Sequence, residues 1–584
     1  MSVILTTLNS KFIHSNLAIR YLKEYAKDLE DIRIEEFTIN QNLGEIAAKI
    51  YGLKPDLVAF STYIWNIDQT LEVCERLKLV SPDTKILLGG PEVSFQMKDL
   101  MLRNAFIDYI VYGEGEETFR DLLLKKEPFG IEGLVYRHGG EVIVNPPRPL
   151  IGDIDRIPSP YHSIGDEYRN KIVYYESSRG CPFNCAFCLS STIKGVRYMS
   201  IDRVKKDLDN LIDAGVKQVK FVDRTFNANK EFSKEVMKHI IARDPGGINF
   251  HLEVTAHLID QEQLEFFENI REGLFQFEIG VQSTHPKTIE AIGRNTDFER
   301  LSQVSKAIKS NKNIHQHLDL IAGLPHEDYK RFGESFDHIY SLRPEKIQLG
   351  FLKLLKGSEL RNKQEEYGYK IIDRAPYEIM GSNWLSYDDV ISLKGIEDLV
   401  EKYYNEEFFR HSLEYMLSNH FESPFKFYEN FMQYWKAKGY YEYSHGREKL
   451  YWILLEYYKE KSFEGPDLFL ELLTLDFLEN NGGKPVPNFL SQGDKLGSID
   501  YHGILKTEEL LEKFMPEYKD LPTKKLLKKV KVHYFNYNIS EIVEDGYRND
   551  GDMKGTLILF KYRDGTIERC RTYDITSYVE EFSQ

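Results

Sequence analysis

Ser178-Arg179-Gly180-Cys181-Pro182-Phe183-Asn184-Cys185-Ala186-Phe187-Cys188 decides how this chain is read. Three residues separate its first two cysteines and two separate the last pair. The stretch follows Ile172 to Ser177, a run whose composition predicts a strand. A loop so placed can curl three thiolates round one metal centre. A [4Fe–4S] cluster normally takes four thiolates. Three leave one iron open, and an open iron can bind and activate a substrate. The alternative is a structural zinc site with a distant fourth ligand. Zinc patterns commonly pair two CxxC-like hooks, and no second hook exists here.

Downstream, strand-like runs alternate with helical ones. The predicted strands are Ile172–Ser177, Val219–Asp223, Asn249–Val254, Leu274–Gly280, His315–Leu320 and Lys346–Phe351, with helices such as Ser200–Ala214 and Lys230–Ala242 between them. Functional side chains of a barrel cluster at the C-terminal ends of its strands. That rule selects Asp223, Glu253, Glu278, Gln282 and Ser283.

Upstream, Val3–Thr6, Ile32–Thr38, Leu57–Ser61, Lys85–Leu88 and Tyr109–Val111 read as strands, and Ser15–Ala26, Ile67–Val80 and Glu116–Lys125 as helices. Alternation of this kind implies a parallel, doubly wound sheet. Such sheets bind ligands at the C-terminal strand edge. The turns there are polar or glycine-rich: Asn9 with His14 beyond it, Ser61-Thr62-Tyr63, Gly89-Gly90-Pro91-Glu92 and Gly113-Glu114-Gly115-Glu116. No GxGxxG is present, so a dinucleotide is not favoured. Gly133 to Val144 reads as a hairpin with Gly139-Gly140 at its turn, followed by a stiff proline-bearing connection through Pro146-Pro147 and Pro158 to Tyr161.

The 584-residue chain is too long for one core, and about three domains are expected. We place them at 1–150, 165–375 and 376–584. No apolar run is long enough to span a bilayer, and the N-terminal stretch does not read as a signal peptide. Five cysteines argue against a disulfide scaffold and for a reducing, cytoplasmic setting. Cys74 and Cys570 read as packing or surface residues. A net charge of −16 disfavours broad nucleic-acid binding. The basic run Pro522 to Lys531 could touch an anion such as tRNA, but a solvated edge is the better reading. Ile396 to Tyr458 reads helical and aromatic-rich, and Gly555 to Tyr573 as a hairpin turning at Arg563-Asp564-Gly565.

Cys181-x3-Cys185-x-Phe187-Cys188 resembles the signature of the radical S-adenosylmethionine (SAM) enzymes. The resemblance implies a partial (β/α)6 barrel. It implies SAM chelated on the open iron and cleaved to a 5′-deoxyadenosyl radical, with Phe187 beside the adenine. In that family Asp223 stands where the methionine amino group is met, Glu278, Gln282 and Ser283 in the ribose and carboxylate region, Glu253 in the SAM or substrate pocket, and Arg294 on the methionine carboxylate. Asp319 to Glu327 resembles the family's GxIxGxxE turn through Gly323, although Asp319 replaces the first glycine and Glu327 falls one residue late. Set before this motif, the first domain resembles the cobalamin-binding module of the B12-dependent members. There the turns after the strands cradle the corrin and its tail. The DxHxxG motif of classical B12 domains is absent, and His14 is a candidate axial ligand or a polar pocket residue. The last third resembles an uncharacterised C-terminal extension of mainly helical α+β character.

The expectation is a cobalamin-dependent radical SAM enzyme that methylates an unactivated carbon, supplied with electrons by a donor such as flavodoxin or ferredoxin. A cyclisation or rearrangement with the same cofactors is the alternative enzyme reading, and an Fe–S/B12 sensor the non-enzymatic one. A methylthiotransferase is disfavoured, because only Cys74 precedes Cys181.

Overall fold

Strand β1 (Ser2–Asn9) pairs in parallel with β2 (Asp31–Thr38) and β3 (Leu57–Ser61), and β4 (Lys85–Gly89) and β5 (Tyr109–Val111) continue the sheet. In this computed structural model every residue is described except 163, 166–167, 169, 483, 492–500, 506, 520, 549–552, 563–569 and 581–584. Both faces of the sheet are covered, so successive strand residues enter different cores. Ile4, Val58, Phe60, Ile86 and Leu88 pack with Ile46 and Ile50 of helix Leu43–Gly52 and Val73 and Leu77 of helix Ile67–Val80. Val3, Leu5, Leu57, Ala59 and Leu87 pack with Ile19 of helix Leu17–Ala26 and Phe119 and Leu122 of helix Glu116–Lys125. Helix Leu43–Gly52 was not among the expected elements. Its cap, Asn42, accepts the N–H groups of Gly44 and Glu45.

The sheet is not wholly parallel. The hairpin β6 (Leu134–His138) and β7 (Glu141–Val144) joins antiparallel to β5, giving the order β2-β1-β3-β4-β5-β6-β7. It turns at Gly139-Gly140 as expected, and it pairs the edge that β5 would otherwise leave open.

Six strands form the second sheet: β8 (Ile172–Tyr175), β11 (Gln218–Phe221), β12 (Asn249–Val254), β13 (Phe275–Gln282), β14 (His315–Ala322) and β15 (Lys346–Phe351), in the order β15-β14-β13-β12-β11-β8. Between the first two lies an antiparallel ribbon, β9 (Ser178–Cys181) with β10 (Gly195–Tyr198). Helices follow the strands, and Ser200, Asn229, Asp260 and Asp297 cap four of them. Strand order and crossovers make this a partial (β/α)6 barrel. Its edge strand β8 is covered from the first domain. The Ile172 N–H donates to the Ile13 carbonyl at 2.7 Å, and the Ser15 hydroxyl donates to the Ile172 carbonyl at 3.0 Å. A short antiparallel pair follows, β16 (Lys370–Ile371) with β17 (Ile379–Gly381).

By internal contacts the chain divides into Met1–Phe332 with Leu349–Val390, and Gly333–Gln348 with Ile391–Gln584. Residues 1–150 and most of 165–375 fall in the first unit, while 333–348 fall in the second. The second unit holds helices Arg410–Asn419, Pro424–Ala437, Arg447–Glu460 and Pro466–Asn480. Its aromatic core includes Tyr403, Phe409, Phe431, Trp435 and Tyr457. An antiparallel sheet of β18 (Val530–Phe535), β19 (Thr556–Tyr562) and β20 (Cys570–Asp574) completes it. The expected turn at Arg563-Asp564-Gly565 lies outside the described residues.

Candidate functional site

Cys181 ends β9, and its Sγ lies 3.7 Å from the Thr225 hydroxyl at the exit of β11. Cys185 is buried, and Arg294 Nη1 donates toward its sulfur at 3.8 Å while Nη2 donates to the Gly280 carbonyl at 2.5 Å. The Ser190 N–H donates to Cys188 Sγ at 3.4 Å. Burial pushes the Cys185 thiol up and the Arg294 charge draws it back. Donors aimed at sulfur stabilise thiolate. The loop is pinned from both sides. The Ala186 N–H donates to the Ile292 carbonyl and the Leu360 N–H to the Ala186 carbonyl, each at 2.9 Å. Phe187 packs against the apolar cluster of Ala186, Ile289, Leu324 and Tyr369. Three sulfurs on one pinned loop, with donors beside two of them, fit a cluster held by three protein thiolates.

The barrel interior is polar. Along β13, Phe275, Phe277, Ile279 and Val281 are buried, while Gln276, Glu278, Gly280 and Gln282 are only half-buried. Along β14 the half-buried set is His315, His317, Asp319 and Ile321. The other face of β14 meets the helices, as the bond from Gln316 to the Ser305 carbonyl records. Inside, Lys220 Nζ and His251 Nε2 reach the Glu278 carboxylate at 2.9 and 2.8 Å. Burial alone would raise that carboxyl, but these two partners hold it down at about 2. Glu253 has no ion pair among the described residues, and burial pushes it up to about 7 against the pull of the Arg224 charge. Burial and the neighbouring Glu278 and Glu253 push Asp319 well above the carboxylate range. Asp319 Oδ1 and Gln282 Oε1 are buried with no hydrogen-bond partner among the described residues. His14 Nδ1 bonds the Tyr174 hydroxyl at 2.8 Å, which brings the turn after β1 to the first barrel strand.

Asp223, Ser283 and Gly323, expected near SAM, each have partners within the protein. Both Asp223 oxygens are taken, by the Ser177 N–H at 2.9 Å, the Ser177 hydroxyl at 2.6 Å and the Ser178 hydroxyl at 2.5 Å. The side chain ties the exit of β8 to that of β11 and is buried, as a carboxylate so fully hydrogen-bonded can be. Ser283 is buried and donates to Glu327 at 2.6 Å. Gly323 is packed under Ile379: a Cβ added there would lie 1.9 Å from Ile379 Cδ1, and its carbonyl accepts from the Tyr369 hydroxyl at 3.0 Å. Glu253, Glu278, Gln282 and Arg294 lie on the interior or beside Cys185. Sequence reasoning missed Lys220, His251 and Thr225. The signal for the first two was present, because β11 (QVKF) and β12 (NFHLEV) place polar residues at every second position.

The other candidate edge is formed by the turns after β1, β3, β4 and β5. Asn9 Nδ2 donates to the His14 carbonyl at 3.2 Å and to Glu36 at 3.1 Å. Asn16 Nδ2 lies 3.4 Å from the Ser61 hydroxyl. Thr62 donates to the Gly89 carbonyl through both N–H (2.7 Å) and hydroxyl (2.6 Å), joining two turns. Gly90 has φ 108°, and a Cβ there would lie 2.4 Å from the Thr62 carbonyl, so only glycine closes this junction. Pro91 and Gly113 are exposed and Gly115 half-buried. Tyr63 stacks on Trp65 with ring centroids 4.4 Å apart, and Trp65, Phe12 and Ile13 are 44, 72 and 44% exposed. An open aromatic and apolar surface beside a glycine junction fits a large, partly apolar ligand. The three carboxylates placed in this cradle are engaged elsewhere. Glu92 accepts from the Tyr377 hydroxyl at 2.5 Å and pairs with Lys356 at 3.0 Å. Glu114 pairs with Arg179 and Arg197, and Glu116 with Arg179. Acids so enclosed need charged partners, and the barrel supplies them.

Residues 3–123 match the B12 binding domain, residues 175–339 the radical SAM superfamily, and residues 365–560 a family described as a protein of unknown function (DUF4080). The chain belongs to the radical SAM superfamily, within its cobalamin-binding branch. An uncharacterized methyltransferase, PH0819 of Pyrococcus horikoshii, is 30% identical over 53% of this chain and 70% of its own length. The 2-(S-pantetheinyl)-carbapenam-3-carboxylate methyltransferase of Streptantibioticus cattleyicolor is 24% identical over 68% of this chain and 63% of its own. The cobalamin-dependent SAM radical enzyme OxsB, solved with aqua-cobalamin and S-adenosylmethionine bound, shares the fold at a TM-score of 0.58 and 16% identity, covering 81% of this chain and 78% of that one. No helix among the described residues is long and apolar enough to cross a membrane.

Proposed function

We propose that this chain is a cobalamin-dependent radical SAM methyltransferase that modifies an unactivated carbon. The observation that carries this is that the three-thiol loop and the open edge of the B12 domain belong to one compact unit, tied by Arg179 to Glu114 and Glu116 and by His14 to Tyr174. When bound, the cluster with SAM would supply one-electron bond cleavage and cobalamin a transferable methyl group. Cys181, Cys185 and Cys188 would hold the cluster, and Arg294 would keep a positive charge beside the Cys185 sulfur. Phe187 would back the adenine, with Gln282 offering its unpartnered Oε1 to a hydroxyl. The turns at Ser61–Tyr63, Gly89–Pro91 and Gly113–Gly115 would receive the corrin, and Trp65 and Phe12 would cover its rim. The polar barrel interior between these edges would receive the substrate and exclude bulk water. Glu253, pushed up to about 7 by burial, and Asp319, pushed up by burial and the neighbouring carboxylates, can hold a substrate group by hydrogen bonds. The likeness to the methyltransferases of Pyrococcus horikoshii and Streptantibioticus cattleyicolor supports methyl transfer over cyclisation, and a flavodoxin- or ferredoxin-type donor in a reducing cytoplasm fits the thiol content.

The test is anaerobic reconstitution with iron, sulfide and hydroxocobalamin, then desalting, metal analysis and an absorption spectrum. About four irons with one cobalt per chain is the expected result. Iron without cobalt would remove methyl transfer, and zinc in place of both would return the loop to a structural role. S-adenosylhomocysteine and a mass gain on the substrate would separate methylation from cyclisation.

A further inference from the structure

Arg179 lies two residues before Cys181 and directly opposite Arg197 across the ribbon. Like charges at opposed positions repel. Here acids from two directions hold them. Arg179 Nη2 reaches Glu116 at 2.6 Å, Nη1 reaches Glu114 at 3.3 Å, and Nε reaches Glu176 at 2.9 Å. Glu114 also takes Arg197 Nη2 at 2.6 Å and the Ile151 N–H at 2.8 Å. The Arg179 side chain is 13% exposed and those of Glu114 and Glu116 are 11 and 7% exposed, so water screens this network poorly. Glu114 and Glu116 stand in the turn after β5, on the edge where the B12 domain is open. The ribbon that carries the first thiol is therefore held by charge to a turn of the other cofactor's domain.

We infer that Arg179 is a positioning residue: with Glu114 and Glu116 it fixes the Cys181 ribbon on the B12 domain and sets the electrostatic potential, hence the reduction potential, of the cluster. This rests on the reading of the three cysteines as cluster ligands. The acidic turn is then a clamp on the iron site as well as a neighbour of the cobalamin edge. Glu117, next in the sequence, pairs instead with Arg148 and Arg156 at 3.4 and 3.3 Å and supplies a control.

The full chain is compared with Glu114→Gln, Arg179→Gln, Arg179→Lys and Glu117→Gln. In the metal-free protein, amide exchange across 178–198 is expected to rise by about tenfold or more in Glu114→Gln and Arg179→Gln, and to stay unchanged in Glu117→Gln. In the iron-loaded protein the midpoint potential is read in a Glu176→Gln background, because Glu176, which burial pushes up to about 7 even with Arg179 beside it, would take up a proton when that charge is lost. Loss of a positive charge lowers the potential, so Arg179→Gln shifts it down. Loss of a negative charge raises it, so Glu114→Gln shifts it up. Arg179→Lys stays near the parent. Two shifts of the same sign would show mere loosening of the ribbon and overturn the inference, as would unchanged exchange in both variants. Should Arg179→Gln not fold, Glu114→Gln and Arg179→Lys decide alone. A parent chain that takes up no iron would sink the cluster reading, while the exchange data would still judge the clamp.

Discussion

Glu253 and Glu278 face each other across adjacent strands, yet burial acts on them with opposite results. Glu278 has Lys220 and His251, and Glu253 has neither. Glu253 holds its proton more tightly folded than unfolded, so the folded state loses stability as pH rises from about 4.5 to about 7, and the loss persists above. Glu253→Gln should therefore gain stability relative to the parent at pH 8 and not at pH 4, by roughly 1–3 kcal/mol, as read by thermal unfolding of the metal-free chain. Glu278 is held at about 2, so its contribution is present above about 4.5 and is lost as pH falls toward 2. Glu278→Gln should destabilise the chain at pH 8, by about 2 kcal/mol or more because Lys220 and His251 are left without it, and much less at pH 3. At Gly90, alanine would bring a Cβ 2.4 Å from the Thr62 carbonyl at φ 108°. Gly90→Ala should cost about 1–3 kcal/mol and weaken hydroxocobalamin retention by roughly tenfold or more, read from cobalt content after desalting. Iron loading should be unaffected.

At the scale of elements, the alternation of β13 and β14 placed a polar interior in the sequence itself. The helices outside demand an apolar outer face, so the residues between must face in. The pinning of that barrel was not legible. Ile379, from the short pair β16–β17, closes on Gly323, which has φ 92°. Gly323→Ala should lower the unfolding temperature and reduce SAM binding. A second change, Ile379→Ala, should restore part of the packing loss but none of the backbone strain. Full additivity of the two changes, measured by unfolding in denaturant, would refute the contact as the cause. The hairpin β6–β7 was legible as a hairpin from Gly139-Gly140. That it completes the first sheet was not, because pairing to β5 is a contact between segments whose sequences carry no register signal.

For the whole molecule, two units with separate internal contacts predict two steps in thermal unfolding. Cobalamin and SAM bind residues of the first unit alone in the proposed scheme. Ligand at a hundredfold excess over its Kd should raise that step by roughly 2.7 kcal/mol and leave the other in place. Movement of both steps together would show that the chain unfolds as one unit. The sequence by itself determined the residue types and their order: three thiols closely spaced on one loop, a βα alternation that makes two largely parallel sheets, and polar or glycine-rich turns at strand ends. Those are local properties, fixed by covalent spacing and by the periods of helix and strand. Only the tertiary structure decided which polar groups remain for a ligand. Asp223, Ser283, Glu92, Glu114 and Glu116 have the right residue types in the right turns, and each is spent on another part of the protein. The physical reason is that a buried polar group takes the partner that folding brings to it, and that partner lies up to hundreds of residues away along the chain.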